Sequence, residues 1–351
     1  MQQHQQGNHG WSVFHEGLSL AAADSRTHPG PDAGPDSASG SGPGELDRLL
    51  SAVWRARPRI SDSHLITLLG IALRTVADTD TDAARVFRPQ LPGAVRAGLL
   101  SAALARHHDA IAAMVTEQSN SYTGARRFLV PQLLLGAYAA HHRIAEVRLL
   151  DIGTSIGLLP RQLNNRTVYD RFAPGLSWHP AAPAYRDIPL AARFGIDAPP
   201  LPTLDWVRGC HGPSDYYTER FSEVVWALEQ TAGTAGDIGI HALDMLDLPA
   251  LADFVHSHHI NVATCNFVLY QYDEPTRERI IATVTGALRR PGLLLSMEPG
   301  YELRRMGARV RGYRAGSTAP LHLADVSDAH FLGRVTPGAD FAGIAGAVRS
   351  A

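Results

Sequence analysis

The chain has 351 residues, 45% of them apolar and 19% charged, with a formal net charge of −2. That balance suits a folded protein with a sizeable core and excludes a strongly basic nucleic-acid binder acting through the whole chain. All 32 basic residues are arginine, which excludes a lysine Schiff base or a phosphate-loop lysine and points to a GC-rich, actinobacterial-type coding bias. Cys210 and Cys265 are the two cysteines, too few for a disulfide framework or a four-cysteine zinc site. The start carries no basic segment leading into an apolar one, and no apolar run approaches the ~18–20 residues that span a bilayer. The expected setting is the cytoplasm, with no membrane partner.

Residues 1–44 read as a disordered tail. Five acids (Glu16, Asp24, Asp32, Asp36 and the adjoining Glu45) face one base, Arg26, and 27–44 is almost wholly Pro, Gly, Ser, Asp and Ala. Such a stretch buries too little apolar surface to offset its ordering entropy. Residues 45–145 read as an all-helical lobe. Leu65, Leu68, Leu69, Ala72, Leu73 and Val76 recur at three-and-four spacing behind Ser61-Asp62-Ser63, a helix with its capping cluster. A second helix is expected over 94–115. A third is expected over 123–140, with Pro131 in its first turn or at a kink.

From 146 to 351 short apolar runs alternate with helical periodicity. Strands are expected at 147–151, 237–243, 261–270 and 292–299, and helices at 215–231 and 275–289. Alternation of this kind predicts an α/β fold, a mostly parallel sheet with helices on both faces. The span 173–204 holds seven prolines and reads as an irregular insertion or a lid.

The sharpest local signal is Leu149-Leu150-Asp151-Ile152-Gly153-Thr154-Ser155-Ile156-Gly157-Leu158. A buried strand ends in an acid, and two glycines bracket a turn leading to a helix. Glycine allows a tight turn and close ligand approach, and helix-terminal amides offer donors. In a doubly wound sheet this turn lies where ligands bind. The spacing resembles the first motif of class I S-adenosylmethionine-dependent methyltransferases. More narrowly, six segments in order resemble a large, mostly actinobacterial family of methyltransferase-like proteins: TEQSNSYTGARRFLVPQL (116–133), LLDIGTSIGLL, RGCHGPSD (208–215), ALDMLDLP (242–249), CNFVLYQY (265–272) and SMEPG (296–300). The resemblance covers about 100–330. It implies a class I methyltransferase-like doubly wound sheet preceded by the helical lobe, with S-adenosylmethionine as cofactor and no metal. Asp151, Gly153, Thr154, Ser155 and Gly157 would then form the donor turn, with Asp215 and Asp244 on the adenosine. The family usually has an acid where His211 stands, so Asp215 is expected to replace it. Ile156 and Pro160 also depart from the family's smaller or polar residues.

Further candidates come with competing structural roles. Asp244 also fits a cap beside Asp247-Leu248-Pro249. Asn266, Tyr270 and Tyr272, at and after a central strand, could orient an acceptor or simply pack. Glu298, closing a strand, could be a general base or pair with arginines; His211 is the other candidate base. The clusters His256-Ser257-His258-His259 and His141-His142 lack the converging ligand spacing of a zinc site. Residues 289–314 carry seven arginines against Glu298 and Glu302. They read as a solvated helix face or as a phosphate grip centred on Arg304, Arg305 and Arg309.

The leading expectation is methyl transfer from S-adenosylmethionine to a small metabolite in specialised metabolism. The alternative is transfer of an aminoacyl group from aminoacyl-tRNA to a small amine or hydroxylamine in antibiotic biosynthesis, the 289–314 patch holding the tRNA. A non-catalytic binding protein on the same fold is the third reading.

Overall fold

The computed structural model of the protein describes residues 14, 16–20, 22, 44–58, 60, 62–299 and 307–345. They fall into two compact units, one built from 1–122 with 202–222 and the other from 123–201 with 223–351. This division differs from the expected 45–145 and 146–351. The segment 123–145 belongs with the sheet, and 202–222 belongs with the helices.

In the helical unit, α1 (Glu45–Ala56), α2 (Asp62–Val76), α3 (Thr81–Arg85) and α4 (Gly93–Glu117) form the frame. α1 buries Leu46, Leu49 and Val53, one stripe at helical spacing. Asp80 caps α3, its carboxylate accepting the Asp82 and Ala83 amides at 2.8 and 3.2 Å. It also binds Arg106 and His107. The 1–44 tail is corrected in part. Residues 16–20 are helical, and Phe14 is fully buried against Phe87, with ring centroids 5.8 Å apart. Phe14, Leu18 and Ala22 pack on the same core as α1, α2 and α4, while Leu20 is exposed. The Pro/Gly/Ser stretch 27–43 lies outside the described residues.

The α/β unit opens with α5 (Leu129–His141), whose first eleven residues are all buried, with Pro131 in the first turn. The strands are β1 (Val147–Ile152), β2 (Ser177–Trp178), β3 (Leu190–Asp197), β4 (Ile238–Ala242), β5 (Val262–Asn266), β6 (Leu293–Pro299), β7 (Ala308–Arg314), β8 (Leu321–Val326) and β9 (Arg334–Pro337). Between them lie α6 (Leu158–Gln162), α7 (Arg166–Phe172), α8 (Leu204–Cys210), α9 (Asp215–Gln230), α10 (Leu248–Ser257) and α11 (Glu274–Ala287); α12 (Phe341–Ala345) follows β9. The sheet order is β2-β9-β8-β7-β6-β5-β1-β3-β4. From β4 to β6 every pairing is parallel, with β1 at the point where the order reverses. This is the doubly wound half of the fold. β5 and β6 are buried along nearly their whole length, as strands covered on both faces must be.

Two expectations fail here. The span 173–204 is no irregular insertion, since it contains β3, a strand hydrogen-bonded on both edges between β1 and β4. The described arginines of 289–314 do not lie on a helix. Beyond β6 the chain forms an antiparallel meander, β6-β7-β8-β9, and Arg309, Arg311 and Arg314 belong to β7. Arginine at alternate positions between buried Ala308, Val310 and Gly312 gives period two, which is a strand signal.

Candidate functional site at the carboxyl ends of the parallel strands

The turn after β1 is built by backbone geometry. Gly153 and Gly157 have φ of 69° and 70°, and Ser155 between them 54°. A side chain at Gly153 would collide with Val268, and a Cβ at Gly157 would sit 2.6 Å from Ile240 Cδ1. Both positions therefore demand glycine for conformation and for space. The space at Gly153 is taken by a protein side chain, not left open for a ligand. The Gly153 and Thr154 amides donate to the Ile196 carbonyl at 2.9 and 3.0 Å, which ties the turn to β3.

The residue after Ile196 is Asp197, the last of β3. Its Oδ2 accepts the Ser155 amide at 2.7 Å and its Oδ1 the Ala198 amide at 2.9 Å. Parallel register pairs Ile152 with Ile196, so the end of β3 lies beside the glycine turn. Burial holds the Asp197 carboxyl above its ordinary range, and the Asp244 charge adds to this. Asp151, at the end of β1, is pushed up to about 7 by burial, against the Thr264 hydroxyl that donates to it at 2.6 Å, and Asp197 contributes to the rise. Asp151, Asp197 and Asp244 thus follow one another across β1, β3 and the loop after β4, with Asp197 acting on Asp151 and Asp244 on Asp197. Asp244 also accepts the Leu246 amide at 2.9 Å, a local turn bond.

On the other side of β1, Asn266 closes β5. Its amide oxygen and nitrogen are both buried and have no hydrogen-bond partner among the described residues. Buried amides are ordinarily satisfied, so this side chain has the features of a ligand contact. Glu298, near the end of β6, is buried. Its Oε1 accepts the Val268 and Leu269 amides at 3.3 and 3.1 Å, and its Oε2 the Tyr270 amide at 3.1 Å. Burial pushes its pKa up to about 7. The Ser296 hydroxyl also donates to Oε1 at 3.4 Å. These partners are amides and a hydroxyl, not the arginines weighed from sequence as one alternative, and the carboxyl holds the turn after β5 in place.

The other predicted residues are placed as follows. His211 and Asp215 belong to the helical unit. His211 is buried, its Nδ1 2.9 Å from the Val207 carbonyl, and its ring packs on Tyr122 with centroids 4.4 Å apart. Asp215 is exposed in the first turn of α9. Tyr272 packs against the core behind β5. Tyr270 lines a cleft over β6 and β7. Arg304 and Arg305 lie outside the described residues; Arg309 donates to Asp325 at 3.0 Å. Sequence reasoning missed Asp197. Its signal was the short Arg-Phe-Gly-Ile-Asp run ahead of Pro199-Pro200, masked by prolines on both sides.

Among the described residues, no group of three or more His, Cys, Asp or Glu is placed to hold a metal ion, and no helix is long and apolar enough to cross a membrane. No protein-family model and no curated protein matches the chain. Solved structures do resemble it at low identity. An amino pentose methyltransferase of calicheamicin biosynthesis from Micromonospora echinaspora, CalS10 bound to SAM, is 14% identical over 56% of this chain and 65% of its own, with a TM-score of 0.30. An O-methyltransferase family protein from Burkholderia thailandensis is 12% identical over 72% and 52%, with a TM-score of 0.31. PigF with SAH is 14% identical over 68% and 52%, with a TM-score of 0.27. The chain thus spans less than two-thirds of each of these structures, and the fold assignment rests on its own strand order.

Proposed function

We propose that the α/β unit binds S-adenosylmethionine at the carboxyl ends of β1, β3 and β5 and transfers its methyl group to a small acceptor. The observation that carries this reading is the clasp of Asp197 on the glycine turn, at the point where strand order reverses. Ligands of open α/β sheets bind at such switch points. The flanking row of Asp151, Asp197 and Asp244 favours a donor bearing positive charge and hydroxyl groups, and repels a phosphate-bearing one. S-adenosylmethionine has a sulfonium, an ammonium and two ribose hydroxyls, and it supplies an activated methyl group when bound. Asp197 would accept from the ribose, and the unpartnered Asn266 amide would bond the donor's polar groups. The turn Gly153–Gly157 would shape the floor. Asp197 thereby takes the adenosine role that the family resemblance assigned to Asp215.

Positioning of the two reactants would supply most of the rate. Three main-chain amides and the Ser296 hydroxyl occupy the Glu298 carboxyl, against two amides on Asp197, so Glu298 is not assigned as a general base. The aminoacyl-tRNA alternative loses ground on two counts: phosphate is disfavoured beside the carboxyl row, and Arg309 is engaged by Asp325.

Calorimetric titration tests the donor. S-adenosylmethionine and S-adenosylhomocysteine should bind the wild type, and Asp197→Ala should weaken both at least tenfold while Asp215→Ala leaves them unchanged. Equal loss in the two variants, or no binding by the wild type, would sink the assignment.

A further inference from the structure

The face that β6 and β7 present to α11 carries a second, chemically distinct feature. Antiparallel register sets Leu294 opposite Tyr313, Ser296 opposite Arg311 and Glu298 opposite Arg309. Side chains alternate faces along a strand, so these six share one side of the sheet. α11 covers part of it: Ile280, Ile281 and Val284 are buried in one cluster with Leu294 and Tyr313. Where that cover ends lies a cleft of about 950 Å³, bounded by apolar Leu269, Ile281 and Pro320 and by polar Ser296, Arg277 and Arg311. Its volume is at the upper end of small-molecule sites, ~300–1,000 Å³.

The arginines divide into two kinds. Arg309 is neutralised by Asp325. Arg277 and Arg311 are half-buried, and neither guanidinium makes an ion pair or hydrogen bond with a described residue. Both line the same cleft as Tyr313, whose phenol is raised by burial, pulled down by Arg311 and Arg277 and raised by Glu298. Glu274 and Glu278 also line the cleft, but both are exposed, where solvent screens them. Arg277 also acts on exposed Asp273, and the Glu298 carboxyl shares the cleft but is held by main-chain amides. A half-buried pair of guanidiniums with no salt bridge among the described residues gains from an anion that joins it. Their planar donor forks fit carboxylate and phosphate oxygens.

We propose that this cleft binds a small organic anion, its carboxylate or phosphate held between Arg277 and Arg311 beside Tyr313 and its apolar body against Leu269, Ile281 and Pro320. The cleft adjoins Tyr270 and Glu298 at the strand ends. Identifying the anion as the methyl acceptor rests on the methyl-transfer reading; its binding does not.

The test is calorimetric titration of the full chain with three probes of one shape: benzoate, phenyl phosphate and neutral benzamide. At least one anion should bind about tenfold or more tighter than benzamide, the margin of a charge-assisted hydrogen bond, and its binding should weaken with added salt. Benzoate ahead of phenyl phosphate identifies a carboxylate ligand, and the reverse order a phosphate. Arg277→Gln and Arg311→Gln should each weaken the anion about tenfold, and together abolish its advantage over benzamide. Anions that bind no better than benzamide, or not at all, overturn the proposal, as does a folded double variant with wild-type affinity. The wild-type comparison decides the matter alone if a variant fails to fold. Failure of S-adenosylmethionine to bind while benzoate or phenyl phosphate does would remove the donor assignment and leave this site standing.

Discussion

Replacing Glu298 by Gln tests the buried carboxyl that holds the turn after β5. Its folded pKa is about 7 against an ordinary 4.5, the rise caused by burial. Between these values the folded state binds a proton that the unfolded state has lost. Stability must therefore fall as pH rises through that window. Such a rise in pKa is worth about 3 kcal/mol in full, most of it lost between pH 5 and pH 8. Glutamine titrates nowhere in that range, so the variant lacks this slope. It carries a separate cost that does not depend on pH. The carboxylate serves three main-chain amides, two on Oε1 and one on Oε2. A carboxamide offers one acceptor oxygen and turns an N–H toward another N–H, a penalty of about 1–3 kcal/mol.

The expected result is a variant clearly less stable than wild type at pH 5 whose deficit shrinks steadily and nearly vanishes, or reverses, by pH 8. In thermal melts the gap should close by roughly 5–10 °C, at about 2–4 °C per kcal/mol for a domain of 150–250 residues. Asp151 also has its pKa raised by burial and adds to the wild-type slope. It is present in both proteins, so the difference between the two profiles isolates Glu298. Parallel profiles from pH 5 to pH 8 would refute the reasoning, for they would mean that Glu298 ionises in the folded protein as it does in water.

Other changes probe the rest of the frame. Gly153→Val should destabilise the α/β unit by at least about 2 kcal/mol, because a left-handed residue gains a branched side chain that meets Val268. Adding Val268→Ala should recover part of the loss in urea titrations, and no recovery would locate the cost elsewhere. Phe14→Ala should cost about 3–5 kcal/mol as a fully buried aromatic is removed, so deleting 1–22 should lower the melting temperature where deleting a solvated tail would not. Asn266→Leu should leave stability within about 1 kcal/mol or raise it, since it removes a buried amide without partners, yet weaken S-adenosylmethionine in calorimetry. An unchanged affinity would remove Asn266 from the donor site.

Strands with both faces covered were legible because burial writes itself into composition. β5 and β6 are near-continuous apolar runs, and the acid-to-glycine turn after β1 is explicit in the letters. β3 is only partly buried and mixes Ala, Arg and Gly between prolines, so its apolar signal falls below that of its neighbours although it is just as central. The β7 arginines pointed to charge, and charge drew attention away from period two. Phe14 and Leu18 carried helical spacing, but they stand directly before a long Pro/Gly/Ser stretch whose composition dominated the whole segment.

The acid proposed here for the adenosine, Asp197 in place of Asp215, shows why a site is harder to read than a fold. Motif order along the chain identified the strands on either side of the switch point but not which strand lies beside which. With β3 unseen, the next acid in sequence had to be sought near 211–215, a segment that belongs to the helical unit. Once β3 pairs in parallel with β1, the register Ile152 with Ile196 leaves little freedom. The residue following Ile196 must lie beside the turn that follows Ile152, and its side chain must either accept the turn's amides or leave them unsatisfied. An aspartate there does the first, and retains lone pairs for a ligand. The site is therefore set by one strand pairing, which the sequence encodes only through residues distant from one another along the chain.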